Sequence, residues 1–337
     1  MASRKPLHLH FETRQSKPPV FLMTRKLIRE AAARAGKPAG LKTTLGHDLA
    51  DLSPLRSAIG LVASNDILRD PGFPLRDLAA AAPHLRWIHV IGAGIEPLLP
   101  LDWLPSSVTL TNNSGVHAEK VDEYAVMSLL LLNYRLPQMV TNQHRARWEQ
   151  IFTPNIKGKT AVVVGLGDMG GTAARAARRL GVTVIGVRRQ AKPHPHADRV
   201  VGHGQLDRVL PRADFLVVAT PLTPETRQLI DAARLDRLKP SASVMNIGRA
   251  GVVDYPALAE RLADGRIAGA ILDVFDPEPL PADSPLWCTP NLIITPHCSS
   301  DDLDRYMPLT FDLVFANLAR LAAGRPLKNA VDSKRGY

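Results

Sequence analysis

Apolar runs and helical stretches alternate along most of the chain. That rhythm predicts βα units built on parallel sheets, an α/β fold. The alternation Leu7-His8-Leu9-His10-Phe11 predicts a first strand, and short apolar runs predict others at 59–63, 85–91 and 108–112. Helical patterns lie between them at 26–35 and 75–82, and a longer one spans about 117–143. The longer pattern contains the run Met127-Ser128-Leu129-Leu130-Leu131-Leu132, which predicts a buried helix. From Lys159 the pattern sharpens. Thr160-Ala161-Val162-Val163-Val164 is continuously apolar, as in a strand covered on both faces. A helix rich in Ala and Arg is predicted at 170–180, with strands at 182–187, 215–219, 243–247, 268–274 and 292–295. A last helix at 303–323 stops before Gly324 and Pro326.

The length of 337 residues fits two or three domains. Hydrophobic residues at 45% and charged residues at 22% allow a core of useful size and match ordinary globular chains. No apolar run reaches the roughly 18 residues of a membrane span, so no membrane partner is expected. The basic start of the chain, punctuated by His and Pro, lacks the apolar stretch of a secretory signal. Two cysteines, Cys288 and Cys298, make neither a disulfide framework nor a four-ligand metal site. No metal is therefore expected, and a reducing, cytoplasmic setting is the simplest reading. The net charge is +10, and residues 1–40 hold nine Lys/Arg against two Asp/Glu. With no nucleic-acid module in the pattern, this reads as a solvated basic surface that draws in anionic substrate and cofactor, with no nucleic-acid partner.

The segment Gly165-Leu166-Gly167-Asp168-Met169-Gly170 changes the picture most. A bare G-x-G-x-x-G is weak, but this one follows a strand, opens a helix and precedes a second strand. The first glycine permits the tight turn, the second lets the backbone approach a pyrophosphate, and the third lets helix pack on strand. The helix N-terminus then offers free N–H groups and a positive dipole end to phosphates. Many NAD sites carry an acid about 20 residues on, bonding the ribose 2′-hydroxyl. Here the next strand ends Gly186-Val187-Arg188-Arg189, with no acid. Two guanidinium groups suit a 2′-phosphate, so NADP(H) is expected as the preferred cofactor, with NAD(H) possible.

Three later motifs place polar residues just past strand ends: Asn246-Ile247-Gly248-Arg249, Asp273-Val274-Phe275-Asp276-Pro277-Glu278 and Thr295-Pro296-His297. In open α/β sheets ligands bind beyond the carboxyl ends of the strands, so the three point toward the dinucleotide crevice. A planar, permanently charged Arg forks onto a carboxylate and polarises the adjacent carbonyl. A His donates a proton to the carbonyl oxygen as hydride arrives, and a carboxylate orients it. Singly, each reads as a surface arginine, a loop acid or a turn histidine. Together, after a dinucleotide turn, they form a set fitted to a 2-keto acid.

On these motifs the chain resembles the D-isomer-specific 2-hydroxyacid dehydrogenase family, over about residue 85 to the C-terminus, and most of all its glyoxylate/hydroxypyruvate reductase branch. The resemblance implies that Arg249 binds the substrate carboxylate and carbonyl, that His297 is the acid/base, and that Glu278 is its partner. It implies that Asp273 holds the nicotinamide carboxamide and that Thr220-Pro221-Leu222-Thr223-Pro224-Glu225-Thr226 lines the cofactor. With Gly165, Gly167, Asp168, Met169, Gly170, Arg188 and Arg189, the cofactor set also takes in Ile247, Gly248 and His297. Ile91-Gly92-Ala93-Gly94 matches the loop whose N–H groups hold the substrate carboxylate, so Gly92, Ala93 and Gly94 join Arg249 in the substrate set. The stretch through Val121-Asp122-Glu123 is similar to the family's long interdomain helix, which supports a homodimer. The implied fold is two Rossmann-like domains with parallel sheets. A discontinuous, flavodoxin-like substrate domain of 1–112 and 299–337 would flank a dinucleotide domain of 113–298, with the active site between them.

Departures are small. The arginine motif reads Arg249-Ala250-Gly251 where Arg-Gly-Gly is also common, Asp276 stands where Glu is frequent, and Cys298 replaces an apolar residue. A nucleophilic role for Cys298 is set aside because neighbours on a strand end point apart. Two other readings of the same scaffold stay open: a non-enzymatic, corepressor-like dinucleotide sensor, and a formate dehydrogenase-like enzyme. The second is expected to carry Gln in place of Glu278.

Overall fold

A computed structural model describes residues 7–332. Residues 1–6, with Arg4 and Lys5 of the basic start, and 333–337, the end of the expected outer domain, lie outside the described residues. The chain divides into two compact units, residues 7–117 with 301–332, and Ala118–Ser300.

The first unit is built on strands β1 (Leu7–Thr13), β2 (Leu41–His47), β3 (Gly60–Ala63), β4 (Trp87–Val90) and β5 (Thr109–Thr111). They form a five-stranded sheet in the order β2-β1-β3-β4-β5, parallel throughout. Its helices are α1 (Arg25–Arg34), the short α2 (Asn65–Leu68) and α3 (Leu78–Ala81), and the chain's last helix, α10 (Tyr306–Ala322). Helices α1 and α10 cover one face, where Phe11 meets Phe311 edge-on and Leu9, Ile28 and Val314 are buried. Each such side chain contributes about 1.5–3 kcal/mol by leaving water. Strand β1 alternates as expected, but both faces are buried. His8, His10 and Glu12 are fully enclosed, and each is hydrogen-bonded: His8 and His10 to Thr44 Oγ1 at 2.9 Å, His10 to Glu12 at 3.0 Å. Strand β2 is absent from the apolar pattern because it is an edge strand whose inward Thr44 serves those histidines.

The second unit runs α4 (Ala118–Asn133), α5 (Leu136–His144), β6 (Thr160–Val164), α6 (Asp168–Arg179), β7 (Thr183–Val187), β8 (Arg199–Val201), α7 (Leu206–Val209), β9 (Phe215–Val218), α8 (Ala232–Leu235), β10 (Ser243–Asn246), α9 (Tyr255–Ala263), β11 (Gly269–Leu272) and β12 (Leu292–Ile294). The seven strands are parallel in the order β12-β11-β10-β9-β6-β7-β8. Chain order reverses between β6 and β9, which makes that edge-to-edge gap the topological switch point where such sheets bind ligands. Helices α4 and α6 pack together on one face, joined by ion pairs from Arg175 and Arg179 to Asp122. The expected doubly wound α/β architecture is what the chain forms.

Three local expectations change. The 117–143 pattern is two helices, broken where Arg135 turns left-handed at φ 54°. Pro137 follows, and its ring and missing N–H do not fit a continuing helix. The apolar run 127–132 is not wholly buried. Consecutive helical residues point about 100° apart, so Leu129 and Leu132 face inward while Met127 is 41% exposed. The 75–82 stretch shortens to α3: residues 75–77 form a bend and turn ahead of it, and at the other end Pro83 disfavours helical backbone at Ala82.

Candidate active site

The glycine turn sits at the carboxyl end of β6, beside the switch point. Gly165 has φ +90°, and a Cβ there would lie 2.7 Å from the Ala219 carbonyl oxygen, so only glycine fits. At Gly170 a Cβ would collide with the Gly165 carbonyl, which lets α6 close onto the turn. At Gly167 nothing stands within 4 Å of a Cβ position, and Gly167 and Asp168 are exposed. An open, exposed turn leading into the first turn of α6, with Met169 half-buried behind it, fits the pyrophosphate of a dinucleotide.

The neighbouring strand ends complete that edge. Past β9, Thr220 is buried, and Thr226 accepts from the Thr223 N–H at 2.7 Å while donating to the Pro221 carbonyl at 2.6 Å. Thr226 thus staples the 220–226 segment into shape. Past β10, Ile247 is buried, and a Cβ on Gly248 would lie 2.8 Å from the Thr220 carbonyl, so the two turns touch backbone to backbone. At the end of β7, Arg188 is half-buried with its N–H on the Val201 carbonyl, and Arg189 is exposed. His194 joins them: its ring rests against Gly171 in the first turn of α6, and its pKa is lowered by burial and by the charges of His196 and Arg188.

The polar motifs meet around the ends of β10, β11 and β12. His297 Nδ1 lies 2.7 Å from Glu278 Oε2, and the other Glu278 oxygen accepts from the Phe275 N–H at 2.8 Å. This second bond fixes the carboxylate plane. The hydrogen bond to Glu278 outweighs the opposing effect of burial and raises the His297 pKa. Burial works to raise the Glu278 pKa, but the bonds from His297 and Phe275 and the charge of Arg249 hold it below the usual range. The pair is half-open to solvent, with the His297 side chain 47% exposed and Glu278 35%.

Below the pair, Asn246 and Asp273 of those motifs are joined by Tyr255 and Tyr124, which the motifs do not include. Asn246 accepts from the Gly248 N–H at 3.0 Å and donates to the Arg249 carbonyl at 3.1 Å and to Tyr255 at 2.9 Å. Tyr255 in turn donates to the Val274 carbonyl at 2.7 Å, so the Arg249 turn is tied to the end of β11. Asp273, fully buried, takes Thr295 Oγ1 at 2.6 Å and the N–H groups of Cys298 and Ser299 at 3.0 Å. Asp273 therefore pins the loop that carries His297, which holds φ +50° there. Tyr124 of α4 closes the chain of bonds at Thr295, 2.7 Å away. Asn246 stands inside a quoted motif, so an amide next to a turn glycine was the available signal. Tyr255 and Tyr124 carried none.

In the first unit, Gly92, Ala93 and Gly94 form an open bend after β4, with Ala93 exposed.

A Rossmann-type sheet with this turn and a hydrogen-bonded histidine–carboxylate pair at its strand ends has the features of a nicotinamide-dependent oxidoreductase. Residues 126–299 match the NAD binding domain of the D-isomer specific 2-hydroxyacid dehydrogenases, and the chain belongs to that family. It is 32% identical to glyoxylate/hydroxypyruvate reductase B of Pectobacterium carotovorum subsp. carotovorum (strain PC1) over 257 residues, 74% of this chain and 80% of that protein. It is 28% identical to a glyoxylate reductase of Korarchaeum cryptofilum over 75% of this chain and 78% of that one. Its structure is similar to a family member from Xanthobacter autotrophicus Py2 solved with NADPH and MES, with TM-score 0.81, 29% identity, and 98% and 100% of the two chains covered. An NADPH-dependent glyoxylate/hydroxypyruvate reductase from Sinorhizobium meliloti, solved with NADP and sulfate, gives TM-score 0.77 at 27% identity over 98% and 100%. The protein is thus an NAD(P)-dependent 2-hydroxyacid dehydrogenase. No helix among the described residues is long and apolar enough to cross a membrane.

Proposed function

We propose that the enzyme reduces a small 2-keto acid, glyoxylate or hydroxypyruvate, to the 2-hydroxy acid, of D configuration where the product is chiral, and prefers NADPH to NADH. The observation that carries this is the His297–Glu278 pair at 2.7 Å, with a raised His297 pKa and the Arg249 charge close enough to act on both. The reduced dinucleotide, when bound, supplies the hydride to C2 of the keto acid. Arg249 forks onto the carboxylate and draws electron density toward the C2 oxygen. His297, kept protonated by Glu278, gives its proton to that oxygen, so carbonyl, hydride and proton become an alcohol. Glu278 holds the imidazole in place and stabilises its charge. Asp273 keeps the His297 loop in position and offers a carboxylate to the nicotinamide carboxamide.

In this reading the turn Gly165–Gly170, the Thr220–Thr226 segment and Ile247-Gly248 hold the dinucleotide. Arg188 and Arg189 take the 2′-phosphate, supported by the absence of an acid at that strand end and by the NADPH-bound relatives. Gly92, Ala93 and Gly94 receive the substrate carboxylate. Residues 1–112 with 299–337 make the substrate domain and 113–298 the dinucleotide domain. Two free cysteines suit a reducing cytoplasm. The test is the rate of NADPH and NADH oxidation with glyoxylate, hydroxypyruvate, pyruvate and bulkier 2-keto acids. The proposal expects the highest kcat/KM with NADPH and either glyoxylate or hydroxypyruvate. A kcat/KM clearly higher with NADH would refute the role of Arg188 and Arg189.

A homodimer is part of the same reading. Met127, at 41%, and Tyr134, at 61% and just past the end of α4, are exposed seven positions apart, about two helical turns, and Leu130 and Leu131 lie half-buried between them. Trp148 and Phe152 of the same unit are exposed at 94% and 87%. Aromatic anchors of this kind dominate protein interfaces. Trp148→Glu is expected to shift the mass measured by light scattering from dimer toward monomer. A wild-type monomer would contradict it.

A further inference from the structure

The bend that follows β4 is held by its carbonyls. The Ile91 carbonyl accepts from Asn113 Nδ2 and from the Tyr306 hydroxyl at 2.8 Å. The Gly92 carbonyl accepts from the Asn113 N–H at 3.0 Å. The Ala93 carbonyl accepts from Asn112 Nδ2 at 2.7 Å, and the Gly94 carbonyl from Asn65 Nδ2 at 2.9 Å. Four successive carbonyls are thus engaged, three of them by side chains. Among the described residues, none of the N–H groups of Gly92, Ala93 and Gly94 is engaged by an acceptor. A trans peptide is planar, and its N–H points opposite to its C=O. Each clamp on a carbonyl therefore aims the next residue's N–H: Tyr306 and Asn113 aim that of Gly92, the Asn113 backbone that of Ala93, and Asn112 that of Gly94.

We propose that Asn112 and Tyr306 are positioning residues for the substrate: by tying the Ala93 and Ile91 carbonyls they fix the Gly94 and Gly92 N–H groups into a preformed cradle for the keto-acid carboxylate. The inference rests on the reading of residues 92–94 as the carboxylate loop. Three adjacent amides on an open, exposed bend suit two carboxylate oxygens. Glycine flexibility would otherwise spread the bend over many conformations, and ordering it on binding would weaken affinity. The clamps remove that cost before substrate arrives. The network beneath is directional. Trp87 donates to Thr111 Oγ1 at 2.8 Å, Thr111 bonds His89 Nδ1 at 2.8 Å, and His89 Nε2 bonds Asn113 Oδ1 at 3.0 Å. The Asn113 amide thereby keeps its Nδ2 toward the Ile91 carbonyl and Thr310.

The variants Asn112→Ala and Tyr306→Phe test this, the second removing one oxygen and little else. Each is expected to raise the KM for glyoxylate, about tenfold for Asn112→Ala and a few-fold for Tyr306→Phe, with kcat within about twofold and NADPH affinity unchanged. A merely structural role would instead lower the active fraction and the Tm at constant KM. Amide resonances of the NADPH-loaded protein, titrated with oxamate, supply the second readout. Gly92, Ala93 and Gly94 should move in the wild type. Asn112→Ala should blunt the response of Gly94, and Tyr306→Phe that of Gly92. If the wild-type amides move but both variants keep wild-type KM and response, the clamp is wrong and the carboxylate loop stands. If the wild-type amides do not move, the loop is not the carboxylate site, and both ideas fall.

Discussion

His297 Nδ1 and Glu278 Oε2 lie 2.7 Å apart, and the second Glu278 oxygen is held by the Phe275 N–H at 2.8 Å. A carboxylate held at both oxygens orients the imidazole through Nδ1, and in the proposed reaction Nε2 is the nitrogen that faces the substrate. The hydrogen bond raises the His297 pKa, which keeps a proton available near neutral pH.

With His297 as the proton donor we propose, kcat/KM for the keto acid should fall as pH rises through the raised pKa, while oxidation of the hydroxy acid should rise over the same window. Glu278→Gln removes the negative partner and lowers the His297 pKa, moving the alkaline limb of reduction to lower pH. A pH–rate profile of wild type and variant checks this. An unmoved limb would separate Glu278 from the proton donor.

Arg188 and Arg189 should act on one cofactor only. Replacing both with Ala is expected to weaken NADPH binding about 100-fold, through loss of charge-assisted contacts to the 2′-phosphate, and to leave NADH within about twofold. Fluorescence titration with each cofactor reads the ratio. Equal weakening of both would mean that the arginines shape the turn instead.

Acid should destabilise the fold through its buried histidines. Burial lowers His89 to about 4, and His117 likewise to about 4. Both are neutral in the folded chain, whereas an unfolded histidine takes a proton near 6.5. The unfolded state binds more protons below that value, so stability is complete above pH 6.5 and is lost as pH falls toward 4. The loss is about 2 kcal/mol for each by pH 5. Tm measured from pH 7 to pH 5 should drop, and drop less in His89→Gln. A flat profile would contradict the burial argument.

Much of this molecule is legible along the chain, for definite reasons. Arg249, Glu278 and His297 each follow an unmistakable apolar run, and a parallel sheet delivers every such strand end to one edge. The glycines at 165 and 170 are legible because the turn requires them on steric grounds, a left-handed backbone against the Ala219 carbonyl at Gly165 and the Gly165 carbonyl itself at Gly170, while Gly167 leaves the turn open. The parts hidden from the sequence are held by contacts between distant residues. Tyr306 reaches the Ile91 carbonyl across 215 positions, and Tyr124 reaches Thr295 across 171. Strand β2 is hidden because its interior neighbours are His8, His10 and Glu12, so its inward residues are polar. The break at Arg135 was signalled by Pro137, which apolar periodicity alone overrides.

The central claim is that Arg249 binds and polarises a 2-keto acid beside the His297–Glu278 pair. The most direct test is kcat/KM of Arg249→Ala for the best keto acid, measured with NADPH affinity in the same preparation. The account predicts a loss of about three powers of ten or more with NADPH affinity intact, since the transition-state charge loses its main partner. Turnover like that of the wild type would contradict it.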